Sequence, residues 1–209
     1  MIDTTRTLYR DDRLWVLDKP AGLPAVPGRG PEKQDCLWHR LLAESPSVLV
    51  VHRLDWATSG VILFALDPKT QRELSRQFEA RETAKRYVAV VRGEPSDDCS
   101  TIDLPLAKDF SNPPRHRVDH VHGRSARTEW RVLERLGDRA RLELTPHTGR
   151  SHQLRVHLAM LGHPILGDML YADASSIAAA PRLLLHAESL TVSHPDDGRR
   201  LTFIAPCPF

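Results

Sequence analysis

Six consecutive apolar residues, Val61, Ile62, Leu63, Phe64, Ala65 and Leu66, constrain this chain more than any other feature. A strand with one wet face alternates apolar and polar side chains. An unbroken run predicts a strand buried on both faces, so the fold must cover it from two sides. The residues just before it are of the opposite kind. "VHRLDWATSG" places His52, Arg53 and Asp55 in a loop that closes with Thr58, Ser59 and Gly60. Burying charge is costly unless it is paired. A carboxylate beside an arginine at the mouth of the most buried strand is therefore either a structural ion pair or a reactive group.

The rest of the chain predicts mixed α and β. "RLWVLDKPAGLP" reads as a strand ending in a Pro/Gly turn, and "DCLWHRLLAES" as a short helix with Asp35 as N-cap and Leu37, Leu41 and Leu42 inward. "SVLVV" reads as a strand. Asp67 and Pro68 form an N-cap and first-turn pair, opening a helix with Leu74 and Phe78 on one face. "KRYVAVVRG" reads as a strand ending at Gly93. "RTEWRVLERL" and "RARLELTP" flank Gly137-Asp138 as a hairpin, and "RLLLHAESLTVSHP" with "RRLTFIAP" form another joined by Pro195-Asp196-Asp197-Gly198. "SHQLRVHLAMLG" reads as a helix striped by Leu154, Leu158 and Leu161, with Gly162 at its C-terminus. Hairpins outnumber βαβ units. The expected class is α+β, with a largely antiparallel mixed central sheet flanked by helices and loops.

Function is narrowed first by what fails. The "GRG" at Gly28 to Gly30 lacks the further glycines and the Lys-Ser/Thr of nucleotide loops, and no serine sits in a nucleophile elbow. His152 and His157 are five apart, which does not place them on one helix face as metal ligands. Cys36, Cys99 and Cys207 are too few and too scattered for a disulfide framework or a zinc site. No run reaches transmembrane length, and the N-terminus lacks a signal-peptide core, so a cytoplasmic protein is expected.

Charge points toward an anion. The net charge is only +2, yet of 29 Lys and Arg just five are lysine. Arginine's planar fork matches phosphate and stacks on bases, although a GC-rich genome gives the same bias. Between Lys108 and Arg131 the chain carries Arg115, Arg117, Arg124 and Arg127, with His116, His120 and His122 among them. This is a candidate phosphate-contacting arm, or else a solvated loop. Gly149 and Arg150 are expected at the start of the helix over "SHQLRVHLAMLG". The dipole there favours an anion and Arg150 adds a fixed cation, which makes it a candidate partner for Asp55 in a buried pair.

"HRLDWATSGVILFA", "KRYVAVVRG", "TGRSHQLRVHLAMLGHPILGD" and "LLLHAESL" occur in the order found in RluA-type RNA pseudouridine synthases. The resemblance runs from about Leu8 to the C-terminus. "VPGR" at Val26 to Arg29, "DLPL" at Asp103 to Leu106 and "APRLLLHAE" at Ala180 to Glu188 resemble the dual-specificity members of that family. The resemblance implies the pseudouridine synthase catalytic fold as a single domain over residues 1–209, without a separate N-terminal RNA-binding module. It implies isomerisation of a tRNA anticodon-loop uridine and of a loop uridine in 23S rRNA. A single-substrate relative is the alternative within the family.

The same resemblance implies roles. Asp55 is the catalytic carboxylate, which either attacks the anomeric carbon or removes the neighbouring ribose proton. Tyr87 stacks on the target uracil; without the motif it reads as a core aromatic. Arg150 pairs with the catalytic aspartate. Arg53 fills the gap left by the flipped base, and Leu185 forms an apolar wall of the pocket, although core packing explains it equally well. Arg115 and Arg117 are the candidate phosphate contacts. No metal or organic cofactor is implied, and a monomer is expected. Outside the family reading stand a catalytically silent RNA-binding domain and an unrelated hydrolase using Asp55, which would release free uracil.

Overall fold

The computed structural model describes residues 5–28, 30 and 34–209, and it divides the chain into two compact units. Arg29 of "VPGR" lies outside the described residues. The first unit comprises the chain up to Lys85 together with His186–Pro208, and the second comprises Arg86–Leu185 with Phe209. The class is α+β, with mostly antiparallel strands and few helices.

The first unit is built around the apolar run. Strand β1 (Arg6–Arg10) pairs with β2 (Leu14–Lys19), and β2 pairs with β4 (Ser59–Ala65), both antiparallel. All seven residues of β4 are buried, as an unbroken apolar run requires. On its other edge β4 is shared. The short β3 (Leu49–Val50) pairs with Phe64 and Ala65, while β11 (Leu185–Ser193) runs parallel to it at Ser59 and Gly60. Strand β12 (Arg200–Ile204) completes a hairpin with β11, turning at Gly198 with φ of 70°. Leu14, Val16, Val61, Leu63, Leu74, Leu190, Val192 and Phe203 form one core cluster.

Two helices of this unit test the capping rules. Helix α2 (Pro68–Glu79) starts as expected: the Asp67 carboxylate accepts the backbone N–H of Lys69 and Thr70, and Pro68 occupies the first turn. Helix α1 (Leu37–Leu42) starts one residue later than expected. Its N-cap is Cys36, whose Sγ accepts from His39 N–H, because the Asp35 carboxylate is held instead by the Arg40 guanidinium at 2.7 and 2.8 Å.

The second unit orders its strands β5 (Ala84–Arg92), β10 (Arg139–Pro146), β9 (Arg127–Arg135) and β6 (Cys99–Asp103), all antiparallel neighbours. The basic segment is not simply a loop. It holds a small separate hairpin of β7 (Leu106–Lys108) and β8 (His116–Val118). Helix α3 (Gln153–Met160) is shorter than the expected stripe and lacks a polar face, since Gln153 through Leu158 are all buried; Leu161 lies beyond its end, exposed. A short α4 (Ala174–Ala178) follows. Among the described residues no helix is long and apolar enough to cross a membrane.

Candidate active site

The Asp55 loop is fixed by bonds that leave the loop. The chain exits β3 at Val50, and the next side chain but one, His52, takes over the ladder. Its Nε2 accepts the backbone N–H of Leu63 at 3.0 Å, on the β4 edge between the stretches paired with β3 and β11. That bond puts the ring proton on Nδ1. The ring stacks on Phe78 at 4.6 Å. Burial, with a smaller contribution from Lys85, pushes the imidazole down to about 3, so His52 stays neutral as the ladder requires.

The next residues alternate. Arg53 is exposed, Leu54 is buried, Asp55 is half-buried and Trp56 is exposed. Asp55 closes the turn through its carbonyl, which accepts Thr58 N–H at 3.1 Å. The Trp56 carbonyl accepts Gly22 N–H at 2.9 Å and the Lys19 ammonium at 3.3 Å, and the Trp56 indole donates back to the Gly22 carbonyl. Lys19 is fully buried, and it also donates to the carbonyls of Pro20 and Leu23 at 2.8 and 2.7 Å. One cation thus clasps the "KPAGL" turn to the residue beside Asp55.

The far end of the loop is held as firmly. The Ser59 hydroxyl donates to His186 Nδ1 at 2.9 Å, and His186 Nε2 donates to the Ala205 carbonyl at 2.9 Å. Gly60 has φ of 112°, and a Cβ there would lie 2.2 Å from the Ala187 carbonyl oxygen. Only glycine allows this close approach of β4 to β11.

The second unit holds the other expected residues. Tyr87 lies on β5, half-buried and in register with Leu144 of β10. Leu185 is buried at the start of β11. Arg150 precedes α3, in a turn, and is not among its first helical residues. Gln153 shapes that turn. Its Oε1 accepts Arg150 N–H at 3.0 Å and the Thr148 hydroxyl at 2.7 Å, while its Nε2 donates to the Arg127 carbonyl and to Thr128 Oγ1, each at 3.0 Å. Gln153 N–H in turn donates to the Arg150 carbonyl, a reciprocal arrangement like a capping box. The Arg150 Nε donates to the Ser125 carbonyl at 3.0 Å. His157, neutral through burial, extends the network to Thr128 and the Leu104 carbonyl.

A buried ion pair within this unit is one that sequence patterns do not reveal. Arg155 and Asp168 meet at 2.6 and 2.8 Å with both side chains nearly inaccessible. Asp168 also accepts from Leu170 and Tyr171 N–H, and the Tyr171 hydroxyl accepts His116 N–H of β8 at 2.8 Å. No periodicity marks a pair separated by thirteen residues across a turn. Lys19 and Gln153 are equally hidden, because sequence reasoning places both residue types on the surface.

Arg115 and Arg117 are exposed on or beside the β7–β8 hairpin, Arg117 with Asp119 at 3.3 Å. Among the described residues no group of three or more His, Cys, Asp or Glu could hold a metal ion.

Residues 13–160 match the family model of RNA pseudouridylate synthases. Over 203 residues the chain is 52% identical to the dual-specificity RNA pseudouridine synthase RluA of Escherichia coli K12, covering 97% of this chain and 93% of the relative. It is 46% identical to the protein of that name from Haemophilus influenzae, with the same coverage. Among solved structures, human RNA pseudouridylate synthase domain containing 1 superposes with a TM-score of 0.83 at 27% identity, covering 100% of this chain and 86% of that one. Human RNA pseudouridylate synthase domain containing 4 gives 0.78 at 28% identity, covering 97% and 88%.

Proposed function

We infer, for a chain that belongs to the RNA pseudouridylate synthase family, a dual substrate range: an anticodon-loop uridine of tRNA and a loop uridine of 23S rRNA. The enzyme is an RNA uridine isomerase. Its reaction breaks the N-glycosidic bond, turns the uracil and forms a carbon–carbon bond to the same ribose. The base gains a proton on nitrogen and loses one from carbon, so no net redox change occurs. A stacked uracil cannot turn, so the target must be flipped out, and loops present such bases most readily.

In this reading Asp55 supplies the charged carboxylate at the sugar, as nucleophile or as base. Tyr87 stacks on the uracil, and Arg150 orients and pairs with the Asp55 carboxylate. Leu185 is an apolar wall, and Arg53 occupies the space of the extruded base. Arg115 and Arg117 contact phosphates. The 209 residues act as one catalytic domain, as a cytoplasmic monomer.

One observation supports Asp55 as the reacting group in this reading. The loop that presents Asp55 is anchored at both ends, through His52 and Ser59, and at the backbone of the next residue, Trp56, through Lys19. A solvated acidic loop needs no such anchoring, whereas a reacting group must be held in place. Two measurements test it. Pseudouridine mapping of total RNA from a strain lacking the protein should show loss of one tRNA site and one rRNA site; loss of neither would overturn the reading, and loss of one alone would reduce it to a single-substrate enzyme. Asp55→Asn should bind RNA like the wild type yet give no turnover in a tritium-release assay.

A further inference from the structure

Phe110 is the most exposed large apolar residue among those described, with 86% of its surface in solvent. It does not sit on a loose tail. Residues 109–115 close the β7–β8 hairpin, and the loop is knotted by its own hydrogen bonds. Asp109 N–H donates to the Arg115 carbonyl, Asn112 N–H to the Asp109 carbonyl and Arg115 N–H to the Asn112 carbonyl, at 2.9, 3.3 and 2.9 Å. The Asp109 carboxylate is taken up inside the loop, accepting Ser111 N–H at 3.1 Å and the Asn112 side-chain amide at 3.0 Å. The shape is set without the Phe110 ring.

The residues around the ring have a definite chemistry. Lys108 and Arg115 flank the loop, both exposed, and neither forms an ion pair among the described residues. The residues beside Phe110 in the chain, Asp109, Ser111 and Asn112, are polar and offer hydrogen-bonding groups next to the ring. A single aromatic face between unpaired cations on a preformed loop matches single-stranded nucleic acid, whose bases stack while its phosphates take the charges.

We propose that Phe110 is a stacking platform for one unpaired base of the substrate RNA, with Lys108 and Arg115 on the adjacent phosphates. The proposal rests on the RNA reading above and adds a second point of grip to the one at the reacting uridine.

The test titrates Phe110→Ala, Phe110→Leu and Phe110→Trp against a synthetic tRNA anticodon stem-loop and a series of the same RNA with one loop base removed at a time. Phe110→Ala should weaken binding by about 5- to 150-fold, the range for one lost stack. Phe110→Trp should bind at least as well as wild type, and Phe110→Leu should remain weak. The salt dependence should not change, because the substitution removes no charge. At one abasic position, removing the base should cost the wild type what Phe110→Ala costs, and combining both should cost no more than either. Wild-type affinity for Phe110→Ala or for Phe110→Leu, a changed salt slope, or losses that add at every abasic position would each overturn the proposal. Pseudouridine formation by the wild type in these RNAs and in a 23S rRNA stem-loop is assayed alongside. If the wild type converts a uridine while Phe110→Ala binds normally, this proposal alone falls; if it converts none, the functional reading falls and takes the proposal with it.

Discussion

The Asp55 loop and the Phe110 loop are both held by hydrogen bonds, but the bonds run in opposite directions. Around Asp55 they run out of the loop: His52 to β4, Trp56 to Lys19 and Gly22, and Ser59 to His186. Around Phe110 they run within the loop, from residue 109 to residue 115. The first loop therefore has its position fixed within its unit. The second has its shape fixed by its own bonds and meets the rest of its unit only through the hairpin beneath it, whose strands are three residues each and where His116 N–H reaches the Tyr171 hydroxyl. Chemistry on a sugar fails when a carboxylate is an ångström out of place. Attraction to a phosphate changes little over the same distance, since it falls off across a Debye length of about 8 Å. The division fits a catalytic loop and a gripping arm.

Gly60→Ala should disturb the Asp55 loop most. The new Cβ would lie 2.2 Å from the Ala187 carbonyl oxygen in a backbone conformation that L-residues avoid. Strain and overlap together should cost about 2–6 kcal/mol and should lower the melting temperature by several degrees or more. Phe110→Ala, at the exposed loop, should leave it unchanged. A Gly60→Ala protein that melts with the wild type would show that the Asp55 loop is not position-fixed in the way the bonds imply.

What the sequence makes legible follows the same division. The β4 strand is legible because burial on both faces leaves no polar residue in the run, and α2 because the Asp67-Pro68 pair is local. Both C-terminal hairpins announce themselves through Gly137 and Gly198. The anchors of Asp55 are not legible. Nothing in periodicity shows that β4 has a stretch of edge that only a His52 ring fills, or that Lys19 turns into the fold to meet carbonyls from residues 20, 23 and 56. Helix α3 reads as amphipathic because Arg155 and His157 look like a polar face; the structure buries both, one against Asp168 and the other against Thr128 and Leu104. Strands β1 and β6 are largely exposed, and β7 and β8 are three residues each, so none is long and apolar enough to show the alternation that would betray it. Motif resemblance names candidate site residues, whereas nothing in the sequence names the residues that hold them.

Acid should loosen the Asp55 loop selectively. The His52 imidazole sits at about 3 in the folded protein against an ordinary 6.5. Between those values the unfolded chain takes up a proton that the folded chain refuses. The stability it contributes is therefore complete above about pH 6.5 and is lost as pH falls toward 3, by up to about 1.4 kcal/mol per pH unit. His52→Gln, whose amide oxygen offers Leu63 N–H an acceptor that does not titrate, should flatten the slope of unfolding free energy between pH 7 and pH 5. Buried His157, also neutral, titrates in both proteins and cancels in the difference. Equal slopes for wild type and variant would mean that His52 is not an element of the β4 ladder.

The smallest expected effect belongs to the arm, and its smallness is what distinguishes it. Arg115 and Arg117 are exposed, and the ion pair that Arg117 makes with Asp119 lies at the surface. Exposed pairs of that kind are worth about 0–1 kcal/mol. Replacing both arginines by alanine should leave unfolding nearly unaltered and should leave turnover of saturating RNA intact. What should change is how binding responds to salt. For every phosphate interaction removed, the log–log slope should fall by about 0.7 on single-stranded RNA, rising to about 0.9 on a duplex. The weakening should be the same for target and non-target RNA, because phosphates carry no sequence. Arg53→Ala is the counterpart on the position-fixed loop. It should spare the salt slope and reduce base flipping, read as a smaller fluorescence rise from 2-aminopurine beside the target uridine. If Arg53→Ala altered only the salt slope, or the Arg115/Arg117 double variant altered only flipping, the two loops would have exchanged roles and the distinction between position and shape would carry no functional meaning.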